Sequence, residues 1–247
     1  AEGKTYFYGN NGEHLGGIGQ LYQQEPPGYQ ITVYEPMTLP HWYTRGIMYQ
    51  IYVDRFYNGN EDGKVLNPRP RSLIHGDWYD TPFYIKNDKG EVIRWDFFGG
   101  NLLGVKKKLP FLKELGISII YFNPIFDSSS NHKYDTGDYL KIDPMYGDEE
   151  TFAQLVHEAQ ALGISVILDG VFSHTGDDSI YFNRYGNYPS LGAYQSPESP
   201  YYSWYKWQED GGYTCWWGVK TLPEVKEMEP SYRDFIIHSP KGVLQTC

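Results

Sequence analysis

The chain has 247 residues with 21 basic and 31 acidic side chains, a net charge of -10 and a pI near 5.1. That length supports one large or two ordinary domains with a real core. The acidic balance argues against nucleic acid or an anionic membrane as main partner. Cys215 and Cys247 are too few for a disulfide framework or a Cys-type zinc site. No apolar run approaches the ~20 residues of a membrane span. The sequence shows no Met start and no signal-peptide core, so an export signal is expected to be absent or already removed. The low Cys count fits either compartment; secretion is the expectation, with a cytoplasmic location left open. The 24 Tyr and 7 Trp outnumber the 12 Phe, a bias toward rings with polar handles. Such rings suit sugars, whose faces are apolar and whose rims are hydroxylated, and equally suit a Tyr-rich core.

In chain order, Lys4–Tyr8 and Tyr29–Tyr34 alternate like strands around a Gly-rich stretch, Gly9 to Gly19. The Gly17/Gly19 pair lacks the third glycine and the following helix of a dinucleotide fingerprint, so it reads as a loop. Residues 1–40 therefore predict the end of a β-domain and a linker. Ile47–Phe56 predicts a strand, and 57–96 a long polar loop. Leu102–Leu115 predicts a helix stopped by Gly116, with Pro110 as a point of kinking or splitting. Ile117–Phe122 predicts a strand buried on both faces, followed by a loop from Asn123 to Tyr146. Asp148 caps a helix with the stripe Phe152, Leu155, Val156, Ala159 and Leu162, ended by Gly163. Ile164–Phe172 predicts another buried strand. The alternation over residues 41–172 means a parallel α/β sheet with right-handed crossovers, as a doubly wound sheet or a (β/α)8 barrel. Residues 173–230 predict an aromatic insertion or lid, Ser231–Ile237 begins a helix, and His238–Cys247 does not continue its pattern.

Two motifs stand out. Asn58, Asn60 and Asp62 alternate before Gly63, as oxygens do when they converge on Ca²⁺. Position twelve is Arg69, where an EF-hand needs a bidentate Glu, so alone this reads as a polar turn. Asp169 and His174 follow the third strand, and Asn131, His132, Tyr134, Asp135 and Asp138 follow the second. Two adjacent strand ends thus present polar groups to one mouth, and a carboxylate there is costly unless paired.

Phe97–Leu102, Tyr49–Phe56, Asn131–Tyr139, Asp169–His174 and Leu222–Pro230 together resemble the neopullulanase, cyclomaltodextrinase and amylopullulanase branch of the α-amylase family. The resemblance runs in order from about Tyr29 to Ile237. It implies the first part of a (β/α)8 barrel with an inserted domain B, preceded by the last strands of a β-sandwich. It implies a hydrolase of α-glucosidic bonds in starch, pullulan or cyclodextrins, acting by retaining double displacement, with α-glucan as partner. Tyr134 matches the ring that stacks on the −1 sugar, with His132 and Asp135 in the same loop. His174 matches a histidine that hydrogen-bonds that sugar, and Asp169 an aspartate that positions an Arg beside the nucleophile. Asn58, Asn60, Asp62, the Gly99 carbonyl and Asn101 match a Ca²⁺ site, with Asn101 where Asp is usual. Ser173 and Lys226 each replace a common Asn.

Retaining cleavage needs two carboxyls about 5–5.5 Å apart. In the family they lie on the fourth and fifth strands, and no Gly-x-Arg-x-Asp stretch occurs in these residues. The expectation is that no catalytic nucleophile or acid/base precedes Cys247 and that the chain alone is inactive. The alternative is a non-catalytic α-glucan-binding protein.

Overall fold

A computed structural model describes residues 3–13, 17–29, 33, 35, 38–70 and 72–246. The chain divides into two compact units, Ala1–Pro40 and His41–Cys247. In the first, Phe7–Gly9 pairs antiparallel with Gln20–Tyr22. The Tyr22 hydroxyl donates to Asn10 O at 2.6 Å, tying the hairpin to the turn beside it. The expected strand Tyr29–Tyr34 falls largely outside the described residues.

The second unit is organised by three parallel strands, Met48–Ile51, Ile119–Phe122 and Ser165–Leu168. The middle one pairs with both others, so successive strands are spatial neighbours. The register aligns Ile51 with Phe122 and Phe122 with Leu168. Side chains alternate across a strand. One face therefore carries Ile51, Ile120, Phe122, Val166 and Leu168, all packed into the core beneath the helices. The other carries the row Gln50, Tyr121 and Ile167.

Two helices cover the first face. Leu102–Glu114 starts at Asn101, whose side chain accepts from Gly104 N, and buries Leu102, Val105, Leu109 and Leu112. Gly116 follows at φ 89°, a left-handed turn that glycine enters without steric cost. Pro110 does not split this helix, which runs unbroken from Leu102 to Glu114. Its ring lies on the exposed side, where water can satisfy the carbonyl left without a donor. The second helix, Glu149–Ala161, is capped by Asp148 accepting from Thr151 N.

Other expectations are corrected. The first strand ends at Ile51 and gives way to a 3-10 turn, Val53–Arg55, because Asp54 turns inward to accept from Phe98 N and Gly99 N at 3.1 Å each. The long loop before Phe97 contains short pairings, Leu73–Ile74 with Asp96–Phe97 and Ile85–Lys86 with Val92–Arg94. The loop Asn123–Tyr146 holds a bulged hairpin, Phe126–Ser128 with Thr136–Ile142. The third parallel strand is half-buried throughout rather than buried on both faces, since it has one neighbour among the described residues.

The aromatic segment packs largely on itself. Tyr181, Phe182, Trp204 and Tyr205 form a second core with Phe126, Tyr139, Tyr232 and Ile236. Their polar handles are spent inside. Tyr205 and Thr175 share a hydrogen bond of 2.9 Å, and Trp204 Nε1 donates to Ser231 Oγ at 3.0 Å. Most of these rings therefore fill a core, and few are left to grip a ligand. Pro230–Arg233 begins the expected helix, which widens into a π-helical turn over Asp234–His238. The final segment adds a helical turn, Val243–Thr246, whose Val243 joins the same core.

Candidate active site

Asp169 directly follows the third parallel strand and continues its ladder, donating its N–H to Phe122 O at 3.1 Å. Alternation places its side chain on the face of Ile167 and Tyr121, away from the helices. There its Oδ2 accepts from the Tyr134 hydroxyl at 2.9 Å. Tyr121 from the neighbouring strand lies near the same carboxylate, whose charge adds to burial in raising its pKa. Burial first, then the Asp169 carboxylate, pushes the Tyr134 phenol above its ordinary range as well. Both hydroxyls thus stay protonated, and that of Tyr134 acts as a donor.

His174 is 3% exposed and meets Tyr134 from the other side. Its Nε2 lies 2.9 Å from Tyr134 O, so that nitrogen carries the proton. Ser173 Oγ reaches Nδ1 at 3.0 Å. Burial holds the imidazole pKa below its usual value, so the ring is neutral near pH 7. Both nitrogens are engaged by protein, and His174 fixes the main chain of Tyr134 here rather than offering a free donor. Ser173, standing where Asn is common in the family resembled, supplies the second contact.

His132 turns back into its own loop, where Nδ1 accepts from Tyr134 N at 3.1 Å and meets Ser130 Oγ at 3.2 Å. Its ring stands edge-on to Trp95, with centroids 4.8 Å apart. Burial lowers its pKa as well. Asp135 is spent locally: Ser128 Oγ donates at 2.5 Å, Ser129 Oγ at 2.9 Å and Ser130 N at 3.2 Å. Asp135 thus shapes the loop, while Tyr134 and Asp169 are partly exposed and His174 is buried.

The loop is anchored by Lys133, fully buried at φ 63°. Its Nζ lies 2.7 Å from Asp143 Oδ2, which Arg69 Nη2 also approaches at 2.8 Å. Burial opposes ionisation of Asp143, but the two cations hold its carboxyl below the usual range.

Four participants escaped the sequence reading: Tyr121, Trp95, Lys133 and Trp216, whose ring lies 5.1 Å from His174. Alternation within Ile119–Phe122 marks Tyr121 as opposite to the helix-facing row. The others have no local signal.

The proposed calcium residues gather only in part. The Asn58 carboxamide donates to Gly63 O at 2.9 Å and Lys64 O at 3.2 Å, and that of Asn60 donates to Lys64 O at 2.6 Å. Two carboxamides and two carbonyls therefore meet at one turn, and rotating either amide exchanges its nitrogen for an oxygen. Among these residues Asp62 is the single carboxylate, paired with Lys64 at 3.2 Å. Asn101 touches Asn58 at 3.1 Å, but its oxygen caps the helix and accepts from Gly59 N. The Gly99 amide is held by Asp54. Among the described residues no three His, Cys, Asp or Glu side chains are assembled around a metal position. With its amides rotated, the turn would offer a cation mainly neutral oxygens.

Among the described residues no helix is long and apolar enough to cross a membrane. The family described as "Alpha amylase, catalytic domain" matches residues 50–235. An amylopullulanase from Thermoanaerobacterium saccharolyticum is 46% identical over 97% of this chain, which covers 21% of that protein. Neopullulanase 2 from Thermoactinomyces vulgaris is 36% identical over 83% of this chain and 29% of its own length. The solved cyclic α-maltosyl-(1→6)-maltose hydrolase from Arthrobacter globiformis matches with TM-score 0.63 and 29% identity, covering 80% of this chain and 41% of that one. The type III pullulan hydrolase from Thermococcus kodakarensis matches with TM-score 0.61 and 30% identity, covering 78% and 35%. The chain spans between 14% and 21% of the length of the amylopullulanases it matches. These relatives support a (β/α)8-barrel enzyme fold. With its parallel strands, its polar strand ends and its match over residues 50–235, the chain belongs to the α-amylase catalytic-domain family.

Proposed function

We propose that residues 41–172 are the first three units of an α-amylase-type barrel, that 173–230 is its inserted domain, and that their strand ends form half of an α-glucan-cleaving cleft. The observation that carries this reading is the convergence of Tyr134, Asp169 and His174, linked by two hydrogen bonds of 2.9 Å. In it the Tyr134 ring stacks on the apolar face of the −1 glucosyl unit. Asp169 orients the Tyr134 hydroxyl, and His174 fixes the loop main chain. Trp95 and His132 wall one side.

Cleavage in this reading is retaining double displacement on starch, pullulan or cyclodextrins, through a pair of carboxyls. No Gly-x-Arg-x-Asp stretch occurs in the 247 residues. The nucleophile and acid/base are thus assigned to sequence outside them, and these residues alone bind glucan without turnover. Calcium is proposed at the Asn58–Lys64 turn, held by Asn58, Asn60 and Asp62 with main-chain carbonyls, as a stabilising ion remote from the reaction.

The test is calorimetric titration of the purified chain with maltoheptaose beside a reducing-sugar assay. Binding that disappears in Tyr134→Ala, without released sugar, is the expected result. Turnover by the chain alone sinks the assignment of the missing carboxyls. Binding unaffected by Tyr134→Ala sinks the site.

A further inference from the structure

The turn at Cys215–Leu222 carries two adjacent tryptophans on a closed backbone. Gly218 N donates to Cys215 O at 3.1 Å, Val219 N to Trp216 O at 2.9 Å and Trp216 N to Leu222 O at 2.9 Å. The strand after it is fastened to the candidate site. Val225 N donates to Ser173 O at 3.0 Å and Thr175 N to Pro223 O at 3.2 Å, which pairs Glu224 with His174. The tip is therefore held by the same segment that positions Tyr134.

The rings form a row. Trp216 lies 5.1 Å from the His174 ring, and Trp217 stacks on Trp216 at 4.7 Å with the planes 2° apart. Trp217 is 86% exposed and sits at φ 49°, ψ 28°. The left-handed region is disfavoured for a bulky residue, and such conformations gather at ligand sites. Trp217 is the most exposed ring of the segment, ahead of Tyr185 at 59% and Tyr194 at 44%, while Trp204, Tyr205, Tyr181 and Phe182 are buried. Burial does not explain an indole presented to water on a strained, tightly closed turn.

We propose that the outer face of Trp217, backed by Trp216, forms a stacking platform for an α-linked glucosyl unit beyond Tyr134, so that an oligosaccharide held at Tyr134 continues over the surface to Trp217. The apolar C–H face of a pyranose matches a flat indole, and the hydroxyl rim stays in water. A protein partner fits less well. A stable interface needs about 800 Å² per partner, and the exposed stretch at this tip is short, Trp217 to Thr221. The proposal rests on the α-glucan reading, and its test separates the two.

The chain, Trp217→Ala and Tyr134→Ala are each titrated with maltose and maltoheptaose, by calorimetry and by tryptophan emission. Trp217→Ala is expected to weaken maltoheptaose roughly tenfold, to leave maltose within about twofold, and to unfold at the parent temperature. Parental maltoheptaose affinity in Trp217→Ala overturns the platform, whatever Tyr134→Ala does. Weakening in Trp217→Ala with parental affinity in Tyr134→Ala keeps the platform and sinks the pocket. Absence of binding by the parent chain overturns both.

Discussion

The Tyr134 hydroxyl and Asp169 lie 35 residues apart in sequence and 2.9 Å apart in space. The phenol bridges the ends of the second and third parallel strands, so the carboxylate that ends one strand orients the ring carried by the loop after the other. A carboxylate at a strand end is costly without a donor, and here the Tyr134 hydroxyl supplies one.

Separating ring from hydroxyl tests that relationship. Tyr134→Phe keeps the stacking surface and removes one donor to Asp169. It should cost about 1 kcal/mol in unfolding free energy and weaken maltoheptaose by less than roughly fivefold. Tyr134→Ala should weaken it by more than roughly tenfold. Denaturant melts and calorimetry on both variants check this. Equal losses in the two would mean that the hydrogen bond, and not the ring, carries recognition.

Lys133 offers a second test, because it holds the loop without facing the mouth. Removing one partner of a buried ion pair typically costs about 3–5 kcal/mol. Arg69 remains on Asp143 at 2.8 Å in Lys133→Met, so a loss at the low end, about 3 kcal/mol, is expected. Glucan affinity should fall with it, since Tyr134 is the next residue. Chemical unfolding gives the first quantity and titration the second. Unchanged stability would show that the Lys133 charge is dispensable.

Much of this architecture is legible in the sequence. Both helices announce themselves by apolar period and by terminators, and Asp148 acts as the expected cap. The hairpin Thr136–Ile142 does not, because its pairing is bulged twice and depends on Phe126–Ser128, so no clean alternation survives. The aromatic segment is opaque for a related reason. Trp204 is buried and Trp217 is 86% exposed, yet both are tryptophans in irregular chain, where no periodicity sorts core from surface. At the site, strand alternation points Asp169 away from the helices and the adjacent strand ends bring Tyr134 near, but the hydrogen bond between them is a long-range contact with no local signal. The spent nitrogens of His174 and the serine cage of Asp135 belong to tertiary packing.

Calcium should act on stability and not on glucan affinity. The Asn58–Lys64 turn carries Glu61 and Asp62, but Asp62 is already paired with Lys64 at 3.2 Å, so occupancy calls for roughly millimolar ion. Millimolar CaCl₂ should raise the melting temperature by a few degrees, as ligand linkage requires. EGTA should reverse the rise, and Asp62→Ala should abolish it. A scanning melt with MgCl₂ as control checks this. Equal responses to both ions, or none, would remove calcium from the account.

The pH dependence of stability should show the mark of Asp178. Burial first, then the nearby Asp135 carboxylate, raises its pKa from 3.8 to about 7 in the folded chain. In the unfolded chain the group titrates near its ordinary value of about 3.9. Between those values the folded state binds the extra proton, so stability falls as pH rises through this window. Burial depresses His174 and His132 instead, so their contribution falls as pH drops below about 6.5. The two effects oppose each other below about 6.5, and the Asp178 contribution extends beyond the histidines' to about 7. Asp178→Asn removes its titration at nearly unchanged side-chain volume. It should therefore raise the melting temperature at pH 8 by roughly 2–4 °C and by much less at pH 5. Melts of both chains from pH 5 to 8 decide the matter, and a constant difference across that range would show that Asp178 stays ionised in the folded protein.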